Sequence, residues 1–174
     1  MLNLLRSLLF YSGYFMAILV CGILFLPVAP LLPLPARYRL LNLYNYFILA
    51  WFRWTCGVSY RIQGRERLPQ EPCVILANHQ CEWETIYLQI LKPPVCTVLK
   101  QELLRIPIFG WGLRLLHPIG LDRTKPARAM RQVLTQGVAR LNEGLSVLIF
   151  PEGTRVHPGQ RRRYNKSGAV IACR

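Results

Sequence analysis

A histidine and a glutamate in the stretch NHQCEWET (78–85) are the first residues whose types and spacing could do chemistry. Residues five apart on one helix point about 140° away from each other, so His79 and Glu84 can meet only across a turn. There a carboxylate can accept the imidazole Nδ1–H and leave Nε2 free to take a proton from a hydroxyl group. Taken alone, the pair also fits a histidine that caps a helix and a solvated acid in the first helical turn.

A second candidate site is the stretch FPEGTR (150–155), which follows an apolar run and brings several polar groups into one turn. Its glycine allows a ligand to approach the backbone closely, and its arginine can bind a phosphate through two hydrogen bonds. The alternative is a turn that is stabilised by an ion pair between Glu152 and Arg155. By itself, this motif does not decide between the two interpretations.

The elements around both motifs predict an α/β fold. Runs of β-branched and other apolar residues predict strands, and periodic apolar positions predict helices. The predicted strands are 58–64, 73–78, 94–100, 117–123 and 145–150, and the predicted helices are 83–92, 103–116 with interruptions at Pro107 and Gly110, and 125–144. Strands that alternate with helices predict a largely parallel sheet flanked by helices. Ligands bind at the carboxyl ends of such strands, and both motifs lie at these ends.

The N-terminal segment predicts two membrane helices. No charged residue lies between Arg6 and Arg37, and a helix over 7–26 would be about 30 Å long, the thickness of a bilayer core. Prolines after this run end the helix, and a second apolar and aromatic run, 40–57, suits the membrane interface. A cleaved signal peptide is disfavoured because the run is long and no small-residue cleavage site follows it. We therefore expect membrane helices in 1–57 and a separate α/β domain in 58–174.

The charge balance favours lipid and phosphate as partners. The chain has 22 basic and 8 acidic residues, a formal net charge of +14. This charge suits anionic lipid, phosphorylated substrates and nucleic acid alike. The apolar N-terminus favours the first two, and the basic run RRRYNK (161–166) has one tyrosine and no recognition helix beside it, which argues against nucleic acid. Basic residues after the first helix outnumber those before it, which predicts that the bulk of the chain lies on the cytoplasmic side.

Six cysteines without a CxxC pair indicate a reducing compartment rather than a disulfide framework. A zinc site is disfavoured because its candidate ligands lack paired spacing, and no metal is predicted. These candidates are Cys73, His79, Cys81 and Cys96.

Three motifs in this order, NHQCEWE, IPIFGWG with PIGLDR, and FPEGTR, resemble those of the glycerolipid acyltransferases. Among these, the membrane-bound 1-acylglycerol-3-phosphate acyltransferases are the most similar, and the resemblance runs over 65–169. It implies that His79 is the catalytic base and that Glu84 occupies the position of an acid that is usually aspartate. Gly120 and Arg123 would lie near the glycerol phosphate. The acceptor site would also include Glu152, Gly153, Thr154 and Arg155.

The resemblance implies acyl transfer from a thioester, acyl-CoA or acyl-ACP (acyl carrier protein), to the sn-2 hydroxyl of 1-acylglycerol-3-phosphate (lysophosphatidic acid). The product would be phosphatidic acid for phospholipid synthesis, and the enzyme would need no cofactor and form no covalent intermediate on Cys81. The expected location is a bacterial-type inner membrane, with the catalytic domain on its cytoplasmic face. The oligomeric state is left open.

Two alternatives accompany this assignment. The same chemistry could serve another lysolipid acceptor, or the chain could be a non-catalytic, membrane-bound remnant. The second alternative arises because the family usually continues past a KSGA-like helix, matched here by 166–169, to a further hydrophobic strand. The resemblance therefore implies a chain that is truncated at its C-terminus.

Overall fold

Four parallel strands form the sheet of this protein, as seen in a computed structural model that describes residues 1–173. The strands are β1 (Val74–Leu76), β2 (Val95–Lys100), β3 (Ile119–Leu121) and β4 (Ser146–Ile149), in the spatial order β1-β4-β2-β3. The helices are α1 (Leu2–Phe25), α2 (Leu34–Cys56), α3 (Trp83–Leu91), α4 (Phe109–Arg114), α5 (Pro126–Asn142) and α6 (Ser167–Ala172). Short 3-10 turns occupy Ala29–Leu31, Arg65–Arg67 and Gln101–Arg105. The predicted α/β class and the parallel sheet are confirmed.

Helices cover both faces of the sheet. On one face, Leu148 of β4 and Val95 of β2 pack against Leu88 of α3. On the other face, the neighbouring side chains of the same strands pack against α2, α5 and α6. All four residues of β4 are buried, which explains why Val147, Leu148 and Ile149 are apolar in succession, without alternation.

The two N-terminal helices pack against each other along their length. Close approach occurs at Gly13 of α1, where any side chain would collide with the indole ring of Trp51 in α2. Trp51 Nε1 also donates a hydrogen bond to the Phe10 carbonyl at 3.2 Å. Among residues 1–173, α1 is the one helix that is long and apolar enough to cross a membrane. The prediction of two N-terminal helices is confirmed.

Helix α2 begins at Leu34, six residues before the predicted start of the second apolar run. Pro35 lies in its first turn, where the missing N–H would have no helical partner, so the proline does not interrupt the helix. The extra turns carry Arg37, whose guanidinium donates to the Ala29 and Leu32 carbonyls at 3.1 Å each. These bonds stabilise the bend between α1 and α2.

The N-terminal part of α2 belongs to the core of the α/β domain. Tyr38 is 1% exposed, and its hydroxyl lies 2.7 Å from the Leu116 carbonyl and 3.0 Å from the Val95 carbonyl. Further along α2, Asn42 Nδ2 donates to the Gln89 carbonyl of α3 at 3.2 Å. Helix α2 and the α/β domain are therefore joined by hydrogen bonds as well as by apolar contacts.

Two predicted elements are wrong in detail. Residues 58–64 form no strand, because they lie exposed beside α3 and pair with no strand of the sheet. Within this segment, the Tyr60 ring packs against Trp83 at 4.8 Å and Tyr87 at 5.4 Å. The predicted helix 103–116 is a 3-10 turn followed by α4. Gly110 lies inside α4, so it does not interrupt this helix. A Cβ at this position would come within 2.6 Å of the Leu103 carbonyl oxygen, so the glycine allows α4 to pack closely against the Gln101–Arg105 turn.

We expect Tyr38→Phe to lower the stability of the protein by about 1–3 kcal/mol, because two buried carbonyls would lose their donor. The measurement is the unfolding temperature of the detergent-solubilised chain. Tyr46→Phe is the matched control, since Tyr46 lies on the same helix with 54% of its surface exposed. Equal unfolding temperatures for the two variants would contradict the proposed role of the Tyr38 hydroxyl.

Candidate active site

The histidine and glutamate of the first motif meet across the turn between β1 and α3. His79 Nδ1 lies 3.0 Å from Glu84 Oε1, and both side chains are largely buried, with exposed fractions of 17% and 16%. A carboxylate can only accept, so Nδ1 carries the proton and Nε2 is the acceptor atom of the ring. The imidazole also stacks on the Phe150 ring at 4.4 Å. The ring therefore has a defined orientation and tautomer.

The Glu84 carboxylate is held by the turn that it closes. Its Oε1 accepts the backbone N–H of Cys81 at 2.7 Å and that of Gln80, and its Oε2 accepts the Cys81 thiol at 2.8 Å. Burial raises the pKa of Glu84, but the hydrogen bonds from Cys81 and His79 outweigh it, and the net pKa lies below the ordinary value. Glu84 therefore stays ionised and remains an acceptor for the imidazole.

The second motif holds the main chain of His79 from both sides. Glu152 Oε2 accepts the His79 backbone N–H at 2.6 Å, and the Val156 N–H donates to the His79 carbonyl at 2.8 Å. Glu152 is 7% exposed, so its carboxylate is bound to the His79 N–H and shielded from solvent. The turn after β4 thus fixes the position of the histidine that follows β1.

Arg155 of the second motif forms an ion pair, but the predicted pairing with Glu152 is wrong. Arg155 does not bind Glu152, which is turned inward to His79, but its Nη2 lies 2.8 Å from Glu82 Oε1 of the first motif. Glu82 is thus half of an ion pair between the two motifs. Both side chains are half-exposed.

Cys81 acts as a neutral donor in this arrangement. Partial burial raises the pKa of its thiol, and the hydrogen bond to Glu84 raises it further. A thiol is a much weaker nucleophile than a thiolate, so this environment disfavours a covalent acyl intermediate on Cys81.

A cavity of about 1160 Å³ joins these motifs to the N-terminal helices. Its polar end contains His79 and the turn after β4, and the rest of its wall is mainly apolar. The apolar part is contributed by α1, α2, α4 and α5, with residues such as Ile18, Phe109 and Val133. One cavity therefore reaches from the candidate base to the helix that is long enough to span a membrane.

The predicted site residues fall into two groups. Most of them line the cavity, and of the described residues only Glu84 and Gly120 in the predicted set lie outside its wall. Glu84 lies behind His79, in keeping with an orienting role. At Gly120, a Cβ would come within 2.9 Å of Leu104 Cδ1, so this glycine lets the Gln101–Arg105 turn pack on β3. Those that line the cavity are His79, Arg123, Glu152, Gly153, Thr154 and Arg155.

The sequence analysis missed several polar residues of this cavity. Lys100 is the last residue of β2 and lines the cavity at the sheet edge that carries both motifs. Its place at the carboxyl end of a predicted parallel strand could have identified it. Gln89 of α3 and Thr97 of β2 also line the cavity and are hydrogen-bonded to each other. No sequence signal marks them, because they lie within apolar runs.

Comparisons with known proteins place these features in a family. The acyltransferase family model matches residues 59–174, which is more than half of the chain. The 1-acyl-sn-glycerol-3-phosphate acyltransferase of Pseudomonas aeruginosa is 42% identical over 97% of this chain and 66% of its own length. The enzyme of that name from Limnanthes douglasii is 33% identical over 82% of this chain and 51% of its own length.

A solved structure has a similar fold. The crystal structure of the 1-acyl-sn-glycerophosphate acyltransferase PlsC from Thermotoga maritima superimposes with a TM-score of 0.77, over 98% of this chain and 68% of that one, at 24% identity. The chain spans between about half and two thirds of the length of the two relatives named above. On the match over 59–174, the chain belongs to the acyltransferase family.

Proposed function

We propose that this chain transfers a fatty acyl group from a thioester, acyl-CoA or acyl-ACP, to the sn-2 hydroxyl of 1-acylglycerol-3-phosphate. The products are phosphatidic acid and the free thiol. The observation that carries this proposal is the 3.0 Å contact between His79 and Glu84 at the polar end of a large apolar cavity. The similarity to enzymes named 1-acyl-sn-glycerol-3-phosphate acyltransferases supports the choice of acceptor.

His79 acts as the general base. Its Nε2 takes the proton of the acceptor hydroxyl while the hydroxyl oxygen attacks the thioester carbonyl, and Glu84 stabilises the positive imidazolium. When the tetrahedral intermediate collapses, the carbon–sulfur bond breaks and the leaving sulfur takes the proton from Nε2. The oxygen–carbon bond formed and the carbon–sulfur bond broken balance the reaction, and the enzyme returns to its starting protonation state.

Basic side chains of the cavity bind the acceptor phosphate. Arg123 and Arg155 line the same cavity as His79, and Lys100 and Arg162 are further cations in its wall. Arginine binds phosphate with two parallel hydrogen bonds, which gives orientation as well as attraction. Fixing the phosphate in this way would bring the sn-2 hydroxyl towards Nε2 of His79, so that binding energy contributes to positioning.

The apolar part of the cavity suits the acyl chains of both substrates. Its volume of about 1160 Å³ exceeds the usual range of small-molecule pockets, about 300–1,000 Å³. Because α1 and α2 form part of the wall, lipid substrates could reach the site from the membrane without crossing water.

The membrane arrangement is also part of this proposal. Residues 1–57 would form the membrane-embedded helices and 58–174 the acyltransferase domain, a division that the family match over 59–174 supports. Arg37, Arg39 and Arg53 outnumber Arg6, which favours a catalytic domain on the cytoplasmic face. The bacterial relative supports a location at the inner membrane.

His79→Ala should lower kcat by at least about 10²-fold, because general-base catalysis typically contributes 10²–10⁴-fold. Glu84→Gln should lower kcat less and leave the acceptor KM nearly unchanged, since the amide keeps the contact but not the charge. Transfer of a labelled acyl group to 1-acylglycerol-3-phosphate is the measurement, and His157→Ala, an exposed histidine, is the control. Full activity in His79→Ala would exclude this histidine as the base.

Glu152→Ala should lower both the unfolding temperature and kcat, because the His79 backbone N–H would lose its acceptor. Glu152→Gln should retain much more of both, since its amide oxygen can still accept that hydrogen bond. Acyl-transfer kinetics and thermal unfolding of the two variants provide the comparison. If both variants raised only the acceptor KM, Glu152 would contact the substrate rather than position His79.

Arg155→Ala should chiefly raise the KM for 1-acylglycerol-3-phosphate, by about 10- to 100-fold, because one charge-assisted contact to the phosphate is worth about 1.5–3 kcal/mol. The kinetic constants are to be compared with those for a lysolipid acceptor that lacks the phosphate. An equal loss with both acceptors would contradict phosphate binding by Arg155 and favour another acceptor headgroup.

A further inference from the structure

The ion pair between Glu82 and Arg155 lies where the acceptor phosphate is proposed to bind. Arg155 Nη2 and Glu82 Oε1 are 2.8 Å apart, and both residues line the large cavity. Each side chain is about half-exposed, at 54% and 55%, so the pair is open to a ligand that enters from solvent or from the membrane surface. A carboxylate therefore already occupies an anion position on this guanidinium.

Stronger contacts than the ion pair fix the two loops that carry it. The Glu82 carbonyl accepts the Thr85 hydroxyl at 2.6 Å and the Thr85 N–H at 3.1 Å, which anchors the start of α3. On the other side, Arg155 lies between Glu152 and Val156, which both hold the His79 main chain. The loops would keep their positions if the ion pair opened, so the pair is free to exchange partners.

The charges of the cavity wall single out Glu82. Within residues 1–173, the wall contains four cationic side chains, Lys100, Arg123, Arg155 and Arg162, and two acids, Glu82 and Glu152. Glu152 is buried and bound to the His79 N–H, so it does not face the opening. Glu82 is thus the acid that opposes the attraction of an anion to this group of cations.

We infer that Glu82 competes with the acceptor phosphate for Arg155: it occupies the guanidinium in the free protein, is displaced when the phosphate binds, and so lowers the affinity of the site for anions. This inference rests on the proposed binding of the acceptor phosphate by Arg155. A phosphate monoester carries about −1.5 to −2 charges at neutral pH and out-competes a single carboxylate. A phosphodiester lysolipid carries one negative charge and binds a guanidinium less strongly, but opening the ion pair costs the same for both headgroups.

The expected effect is modest because the pair is half-exposed. Exposed ion pairs contribute about 0.2–1 kcal/mol. Removing the Glu82 charge should therefore strengthen anion binding at Arg155 by about two- to fivefold. Because opening the pair costs the same whichever anion replaces the carboxylate, kcat/KM should rise for a monoester and for a phosphodiester acceptor alike.

The experiment uses the full chain in detergent micelles, with wild type, Glu82→Gln, Arg155→Ala and the double variant. The first readout is the inhibition constant of inorganic phosphate against 1-acylglycerol-3-phosphate, together with kcat/KM for a monoester and a phosphodiester acceptor. We expect Glu82→Gln to lower the inhibition constant by about two- to fivefold, and this gain to vanish in the Arg155→Ala background. Glu66→Gln, which removes the same charge from the exposed Arg67–Glu66 pair, should match wild type.

The second readout does not require activity. Phosphate should protect Arg155 from modification by phenylglyoxal, detected by mass spectrometry, and half-protection should need about two- to fivefold less phosphate in Glu82→Gln. If Glu82→Gln did not fold, Glu82→Asp, whose shorter carboxylate cannot reach Arg155 in the same geometry, should shift both readouts in the same direction.

An unchanged or higher inhibition constant for phosphate in Glu82→Gln would overturn the inference, and so would an equal gain in the double variant. These outcomes are distinct from a failure of the proposed function. A wild-type chain that transfers no acyl group would contradict the proposed function, while phosphate protection of Arg155 in wild type and Glu82→Gln would still test the exchange.

Discussion

The hydrogen bond from the His79 backbone N–H to the buried Glu152 carboxylate is the contact on which the rest of the site depends. β1 and β4 are neighbours in the sheet, so the turns that follow them meet at one edge. Backbone pairing continues past the strands, because the Ala77 N–H donates to the Ile149 carbonyl. The Glu152 carboxylate and the Val156 N–H then bind the His79 main chain, which fixes His79 relative to the turn after β4. A site made of two distant motifs thus behaves as an extension of the sheet.

Buried polar contacts also explain how the N-terminal helices can form one wall of the cavity. Apolar packing alone is non-directional and would allow α2 to slide along the sheet. The Tyr38 hydroxyl and the Asn42 amide bind carbonyls of the α/β domain, and these bonds give α2 a defined position. Because α1 packs on α2, its cavity-facing side is positioned through the same contacts. The N-terminal helices and the α/β domain that carries His79 are therefore joined through one helix, α2.

The fold class and the contact between His79 and Glu84 could be predicted from the sequence because they depend on local patterns. β4 is a continuous apolar run that ends in a turn motif, and His79 and Glu84 are close enough along the chain for a turn to join them. The partner of Arg155 could not be predicted, since Glu82 and Glu152 are both acids near a motif and only the three-dimensional turn shows which one points inward. The prediction of a strand at 58–64 was wrong for a related reason. Alternation predicts that one side of a segment is covered, but Val58, Tyr60 and Ile62 are 44%, 45% and 41% exposed, and of these three side chains the Tyr60 ring packs against aromatic rings of α3.

The glutamate at position 84, where the family usually has aspartate, is accommodated by its neighbours. A side chain longer by one methylene has one more rotatable bond, and holding its carboxylate in one orientation costs more conformational entropy. The backbone N–H groups of Gln80 and Cys81 bind Oε1, and the Cys81 thiol binds Oε2, so both oxygens are restrained. The carboxylate still reaches His79 Nδ1 at 3.0 Å. Cys81 is therefore better understood as part of the orienting group than as a nucleophile, and the raised pKa of its thiol keeps it in the protonated form that this role requires.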